Sequence, residues 1–481
     1  MELQLFRKML ARECDFNPPD AERAYRELAQ KHEYIKLFEN PEIIGRDPVD
    51  ILFDGIYLST GPTHQLLSGF RGASKTTTLL RLRDKLKSGG FVSVRIDVED
   101  YLSTSVSPGP VEFLLFIAVA FEEAIETELP DIALEGGPSI WDRVKSVFKR
   151  IDVVVDPVEV AVENQFGPIK VSAKLKLLLK DDSFIKQLRD SAAGTLPALA
   201  EQVKAGMRDL VKRALERVGQ PDSAVVLLVD SVEHYRGNIQ TAQDIQAAVQ
   251  TLFDIHANHL RFDLPALHVI YTVPPYLREL VPTVPANFGT PSVRMIPAVK
   301  IFDRNGTRWE PGFRAMRDLA GTRVAHAIAE ARGDGTIEDV IPAALLDRLV
   351  EASGGLPREL LRSLYELDLQ LQDLPVEPSL IERVLKQLVA SRGTIPDEDA
   401  LVLAQIDTER APSLPKLADL STLARLLEYG SVLCYQNDDD WYAVNPLIMP
   451  AVRAQVVRIR ARTERAQPVE TGDPMEAQQR G

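Results

Sequence analysis

The 481-residue sequence is short of several residue types, and each shortage excludes a class of protein. It has two cysteines, Cys14 and Cys434, too few for a disulfide framework or a thiolate zinc site, which fits a reducing compartment. No stretch approaches the roughly eighteen uninterrupted apolar residues that a membrane span needs. The opening MELQLFRKMLARECDF has no apolar run behind a basic leader. The expectation is a soluble, cytoplasmic protein with no membrane partner. Positive charge is short as well: 56 Lys and Arg against 70 Asp and Glu leave a formal charge of -14, the wrong balance for a general nucleic-acid coat. Core material is not short. Apolar residues at 45% and charged residues at 26% match globular averages and exclude wholesale disorder. At roughly 150 residues per domain, about three domains are expected.

Residues 1–55 read as an N-terminal helical segment, with Leu3, Leu5, Phe6, Met9 and Leu10 spaced for one buried stripe. A strand at Gln65 to Ser68, a helix at Thr76 to Leu86 and a strand at Phe91 to Val98 then suggest a parallel α/β sheet with right-handed crossovers. The core spans 56–305, with further buried strands expected at Val225 to Val229 and Leu267 to Thr272, a helix at Ile239 to His259, and a closing apolar segment at Val293 to Ile301. An insertion over about 130–220 interrupts it. Within that insertion, alternation over 158–178 predicts a β-hairpin with acidic residues on one strand and lysines on the other, a candidate interaction element. Strand signals stop near Asn305 to Arg314, so 306–395 is expected to be an all-helical lid. Helices followed by Ser431 to Gln436, an Asn-Asp-Asp-Asp turn and Trp441 to Val444 suggest a winged helix over 396–465. The tail at 466–481 has the composition of a disordered segment.

The strongest chemical signal is Gly69-Phe-Arg-Gly-Ala-Ser-Lys75-Thr76 between a strand and a helix, the context a phosphate-binding loop requires. Backbone amides around Arg71, Gly72, Ala73, Ser74 and Lys75 would cup a β-phosphate, and the helix N-terminus adds positive partial charge. Lys75 would neutralise β- and γ-oxygens, and the Thr76 hydroxyl would ligate magnesium. Ser74 stands where the pattern has glycine; if that position needs positive φ, serine carries a cost. Asp230, at the end of the buried run Val225 to Val229, is placed for the magnesium shell. Glu233 is placed to orient or deprotonate the attacking water. Thr272, ending the next strand, can reach the γ-phosphate or that water. Arg358, in the first turn of a helix in the lid, can fold onto the phosphates.

Together, GFRGASKTT, LLVDSVE, HVIYTVPP, GGLPRELL and LLEYGSVLCYQNDDDWYAVNPL resemble the AAA+ and STAND superfamily of P-loop ATPases, most closely the bacterial branch similar to origin-recognition-complex ATPases. The resemblance runs from about Ile44 to Pro450. It implies an α/β fold: an AAA+-type P-loop NTPase core with a parallel sheet, an all-helical lid and a C-terminal winged-helix domain. It assigns Gly69 to Thr77, with Lys75, Thr76 and Thr77, to Walker A, Asp230 and Glu233 to Walker B, Thr272 to sensor 1 and Arg358 to sensor 2. Gly45 and Arg46 look like the family's adenine-side segment, and Arg278 or Arg294 lies where the family places an arginine finger. The implied cofactors are ATP and magnesium, with Ser74 bearing on the rate of hydrolysis.

Two functions compete ahead of a third, a scaffold in which Ser74 leaves an ATP site that stabilises the fold without turnover. The first is an ATP-binding and ATP-hydrolysing switch whose output goes to a separately encoded effector or regulatory protein or into a homo-oligomer; bacterial signalling or antiviral defence is what the resemblance implies. The second is a DNA-binding ATPase, a loader or remodeller, using the winged helix and the arginines Arg453, Arg458, Arg460, Arg462 and Arg465 that follow it.

Overall fold

Runs rich in Val, Ile and Leu form the strands β1 (His64–Gly69), β2 (Val92–Asp97), β3 (Val225–Asp230), β4 (Leu267–Val273) and β5 (Val293–Ile296). They build one sheet in the order β2-β3-β4-β1-β5, parallel throughout. Every residue of β1, β3 and β4 is buried, as parallel strands must be when helices cover both faces. The computed structural model describes residues 2–15, 25, 40–103, 109–130, 132, 139–148, 176–192, 194–220, 223–234, 247, 250–331, 333–412, 420–436 and 439–466.

The register aligns the strand ends. Leu67 lies beside Thr272, Val229 beside Tyr271 and Asp97 beside Asp230, so four strands deliver their carboxyl ends to one edge of the sheet. That is where ligands bind in open α/β sheets.

The helices that cover the sheet follow from sequence in a direct way. Helix α1 is Leu3–Glu13, α2 Pro48–Tyr57, α3 Lys75–Ser88, α4 Pro110–Glu128 and α5 Leu196–Val218. In α4 every residue from Val111 to Phe121 is buried, so a helix apolar on nearly all sides sits inside the core. Its one buried acid, Glu112, is paired with Arg189, whose Nε lies 3.0 Å away. Helix α5 ends where Gly219 turns left-handed at φ 68°, the glycine-terminated stop expected of such helices.

The N-terminal segment divides between two parts of the molecule. The buried Phe6 and Leu10 of α1 face the all-helical region, where Arg7 Nε donates to the Asp368 carbonyl at 3.1 Å. Helix α2 instead lies on α3, with Arg81 on Asp47 at 2.6 Å and Lys85 on Asp50 at 2.5 Å.

After the sheet come α6 (Glu310–Glu330), α7 (Ala343–Ser353), α8 (Pro357–Gln370) and α9 (Pro378–Ala390), with no strand between Glu310 and Glu428 among the described residues. The last unit has α10 (Asp397–Glu409), α11 (Leu420–Glu428), the strands β6 (Val432–Gln436) and β7 (Asp440–Val444), and α12 (Met449–Ala466). Strands β6 and β7 pair antiparallel with Cys434 opposite Tyr442. The fold is thus a parallel P-loop core, a helical region and a winged-helix arrangement. Among the described residues no helix is long and apolar enough to cross a membrane.

Three consecutive amides tie these parts together. Ala298 N donates to Cys434 O at 2.9 Å, Val299 N to Gly355 O at 3.0 Å and Lys300 N to Ile43 O at 3.1 Å. Gly355 has φ +76°, and a β-carbon there would lie 1.9 Å from the Val299 carbonyl oxygen. Only glycine allows that approach.

Some expectations change. The predicted hairpin over 158–178 lies outside the described residues except at 176–178, which form a helical turn. Their apolar-polar alternation runs into the consecutive leucines 177–179, and that run suits a turn feeding the helix Asp182–Ala192. Of the helix predicted over 239–259, the described part holds a π-helical turn at Thr251–Ile255 followed by a helix at Ala257–Leu260. The tail beyond Ala466 lies outside the described residues, and Ala466 itself ends α12.

Candidate nucleotide site

Strand β1 ends at Gly69, the chain turns through Phe70 to Ser74, and α3 begins at Lys75. Ala73 N donates to Phe70 O at 3.0 Å and closes the turn. Two residues of the loop are left-handed: Gly72 at φ 87° and Ser74 at φ 69°. The positive φ anticipated at Ser74 is therefore present, and a side chain there costs about 1 kcal/mol relative to glycine.

Lys75 is buried, and its Nζ donates to the carbonyls of Gly69 at 2.7 Å and Phe70 at 3.1 Å. The same nitrogen lies 3.0 Å from Glu233 Oε1. Glu233 sits on the short 3-10 turn Val232–His234 that follows β3. Burial pushes its carboxyl up, but the charges of Lys75 and His234 and a hydrogen bond from Thr272 hold it below the usual glutamate range. Its Oε2 is buried and has no hydrogen-bond partner in the protein. The structure thus brings together Lys75, Glu233 and Thr272. Thr272, fully buried, also accepts from Val232 N at 3.2 Å, so it braces the turn that carries Glu233.

Arg358 arrives from the helical region. It occupies the first turn of α8 after Pro357, where a cation is electrostatically disfavoured by the helix dipole. It lies against the phosphate loop: a β-carbon on Gly72 would be 2.6 Å from Arg358 Cβ and 2.9 Å from its Cδ. The N-terminal end of α8 therefore lies against the loop that opens α3, with Arg358 on one side and Lys75 on the other. Helix N-termini and cations so placed suit an anion. Thr76 and Thr77 occupy the first turn of α3, half-buried.

Around Asp230 the structure adds residues that the sequence reading did not single out. Arg95 on β2 donates to Asp230 Oδ2 through Nε at 2.9 Å and Nη2 at 2.7 Å, and to Asp97 Oδ2 at 2.5 Å. Asp230 Oδ1 accepts from Ser231 N at 2.9 Å. Burial pulls the Arg95 guanidinium down, but Asp230 and Asp97 more than reverse this and raise it. Burial and the neighbouring Asp230 push Asp97 up against the pull of Arg95. Beside this cluster, His234 Nδ1 lies 2.6 Å from Glu99 Oε1, and that hydrogen bond keeps Glu99 below the usual range against the effect of burial. A divalent cation would call on oxygens of Thr76 and Asp230. Both Asp230 oxygens already accept protein hydrogen bonds, so this carboxylate does not fit the role of a free magnesium ligand.

The remaining sequence-predicted residues lie at the margins. Gly45 has φ 73° and approaches the winged unit, since a β-carbon there would be 3.2 Å from Gln436 Oε1. Arg46 is exposed and pairs with Asp54. Arg278 donates to Asp440 at 3.0 Å, to Glu279 at 3.2 Å and to the Tyr442 hydroxyl. It is engaged by the winged hairpin of its own chain. Arg294 is exposed on the edge strand β5. Trp441 and Tyr442 are both buried, Trp441 stacked on Tyr435 at 4.6 Å, so neither presents a face for stacking on a base.

Comparison with known proteins adds little. No protein-family model matches the chain, and no curated protein matches it. Solved structures similar to it include the Aeropyrum pernix ORC2 protein in its ADP form, 12% identical over 89% of this chain and 98% of that one, TM-score 0.34. Another is Cdc6p from Pyrobaculum aerophilum, 14% identical over 86% of this chain and 93% of that one, TM-score 0.32. The Aeropyrum pernix ORC1 protein, solved in complex with DNA, is 10% identical over 85% of this chain and 93% of that one, TM-score 0.31. At these identities and TM-scores nothing of function transfers, and the reading of the site rests on its own geometry.

Proposed function

We propose that the chain is an ATP-binding switch with slow ATP hydrolysis, acting through a partner protein or its own assembly. What carries the reading is the seating of Arg358 against Gly72, which puts the helical region in direct contact with the loop that would hold phosphate. The next residues along the chain from that arginine explain how a change could travel. Gly354, four residues before Arg358, packs so closely on the winged unit that a β-carbon would meet Leu433 Cδ1 at 2.4 Å, and its carbonyl accepts from the Tyr435 hydroxyl at 2.8 Å. A triphosphate that draws Arg358 inward therefore pulls on a segment bonded to the winged hairpin. Arg278 holds the same hairpin from the core side. In this role Glu233 activates the attacking water, Asp230 is fixed by Arg95, Thr272 braces, and Arg294, rather than the engaged Arg278, is placed for a neighbouring subunit.

Replacing Lys75 with alanine tests the reading. Loss of a charge-assisted contact to phosphate costs roughly 1.5–3 kcal/mol, or about 10- to 150-fold in affinity. Calorimetric titration with ATP should show that fall; equal affinity in the two proteins would discard the nucleotide site.

A DNA-binding role has one supporting observation: Arg453, Arg458, Arg460, Arg462 and Arg465 are exposed on α12. Arg462 is already paired with Asp397 at 2.9 Å. The winged hairpin counts against this reading, because Asp439 and Asp440 flank its turn and β7 is held by Arg278. Duplex binding through four or five arginines would weaken with salt at a log-log slope of about -4. A flat response at background affinity leaves the switch alone.

A further inference from the structure

Asp97 and Asp230 are directly opposite each other in the pairing of β2 with β3, so their side chains share one face of the sheet. Like charges in that relation repel. Both are largely withdrawn from solvent, with side chains 17% and 2% exposed, and two carboxylates so placed need a cation between them. The protein supplies one. Arg95 lies two residues before Asp97 on the same face, its side chain 14% exposed, and its guanidinium bonds both acids at once.

We propose that the Arg95 guanidinium does for Asp230 what a divalent cation would do, so that ATP binds this chain with little dependence on magnesium. The inference rests on the nucleotide reading above and specifies how that site is charged. A resident guanidinium within hydrogen-bond distance of Asp230 neutralises the carboxylate and repels a second cation from it. Of this chain's residues, Thr76 and not Asp230 would then offer an oxygen to a metal ion brought by the nucleotide. Arg95 is thus a positioning residue: it fixes Asp230 and sets the local charge without reaching the reacting atoms.

The experiment compares wild type with Arg95→Gln in two measurements. In the first, ATP is titrated calorimetrically in millimolar magnesium chloride and in EDTA. Wild-type affinity should change by less than about threefold between the two, whereas Arg95→Gln, with two uncompensated acids beside the site, should bind at least about tenfold more weakly in EDTA and recover in magnesium. In the second, the nucleotide-free proteins are melted with and without magnesium. The variant should gain thermal stability from the metal and wild type should not. If Arg95→Gln fails to fold, Arg95→Gln with Asp97→Asn keeps the net charge of the cluster while freeing Asp230, and the same gain in metal dependence is expected. A wild-type affinity that collapses in EDTA, or a variant that responds to magnesium as wild type does, overturns the proposal. Absence of ATP binding by wild type in both buffers overturns the nucleotide reading instead, and the melting comparison still decides the role of Arg95.

Discussion

Replacing Glu233 with glutamine should lower the rate of ATP hydrolysis by about 10²- to 10⁴-fold, the usual worth of a positioned general base, while leaving ATP affinity equal to or slightly above that of wild type. The two halves of this expectation come from one contact. Glu233 is kept ionised by Lys75 at 3.0 Å, by His234 and by Thr272, and its Oε2 is the buried oxygen without a protein partner. An ionised carboxylate with a free oxygen can take a proton from water; the isosteric amide cannot. Lys75, when it turns from Glu233 towards phosphate, removes the charge that depresses the carboxyl and makes it a better base as substrate binds. With glutamine, Lys75 gives up no ion pair in making that turn, so binding is not weakened. Phosphate release at saturating ATP, with calorimetry alongside, measures both. Turnover within about threefold of wild type would remove Glu233 from catalysis, and a matching loss of affinity would make its role structural.

How much of this could be read beforehand depends on whether a residue's job is local. The phosphate loop was legible because its chemistry needs a strand, a tight turn and a helix in immediate succession, and Gly69 to Thr76 supply them in order. Ser74 was legible as a cost, since one backbone position demanded positive φ. The end of helix α5 is legible in the same local way, because Gly219 stops it. Arg95 was not legible. In Val92-Ser-Val-Arg-Ile-Asp97 a charge between apolar residues reads as the solvent side of an alternating strand, and only the pairing of β2 with β3, 128 residues on, turns that face towards Asp230. A signal was present nonetheless: Arg95 and Asp97 share one face of a strand otherwise buried. The division of the N-terminal segment was hidden for the same reason, because the amphipathic stripe of α1 states that it needs a partner and not which one. The burial of Tyr442 was hidden in the same way, because the hairpin that carries it is folded against the core through Arg278.

Two buried histidines should make an acid-sensitive contribution to the stability of the protein, one that falls as pH drops from about 6.5 towards 4. His64 and His268 lie at the amino ends of β1 and β4, far along the strands from the phosphate loop, and both are buried. Burial lowers each from 6.5 to about 4; the nearby Asp263 opposes this at His64, where Arg261 and Lys204 reinforce it, and His64 reinforces it at His268. The folded state therefore keeps both rings neutral where the unfolded chain would protonate them. Below the unfolded value of 6.5 the unfolded state binds more protons and gains, and the stabilisation present at neutral pH is lost until the folded rings also titrate near 4. At 1.36 kcal/mol per pH unit each histidine accounts for at most about 3 kcal/mol, and the pair, being coupled, for something on the order of 5 kcal/mol. That rivals the whole stability of many domains. Asp368 acts in the opposite sense: burial lifts it from 3.8 to about 6 against the charge of Arg7, so it favours the folded state as pH falls through that window. The comparison must therefore be a difference between proteins. Urea midpoints of wild type and of the variant carrying His64→Gln and His268→Gln, measured from neutral pH down towards 4, should diverge in slope, with the variant flatter. Parallel profiles would assign the acid sensitivity to other groups. Because neither ring touches the nucleotide site, ATP affinity at neutral pH should be the same in both proteins, which separates loss of fold from loss of function.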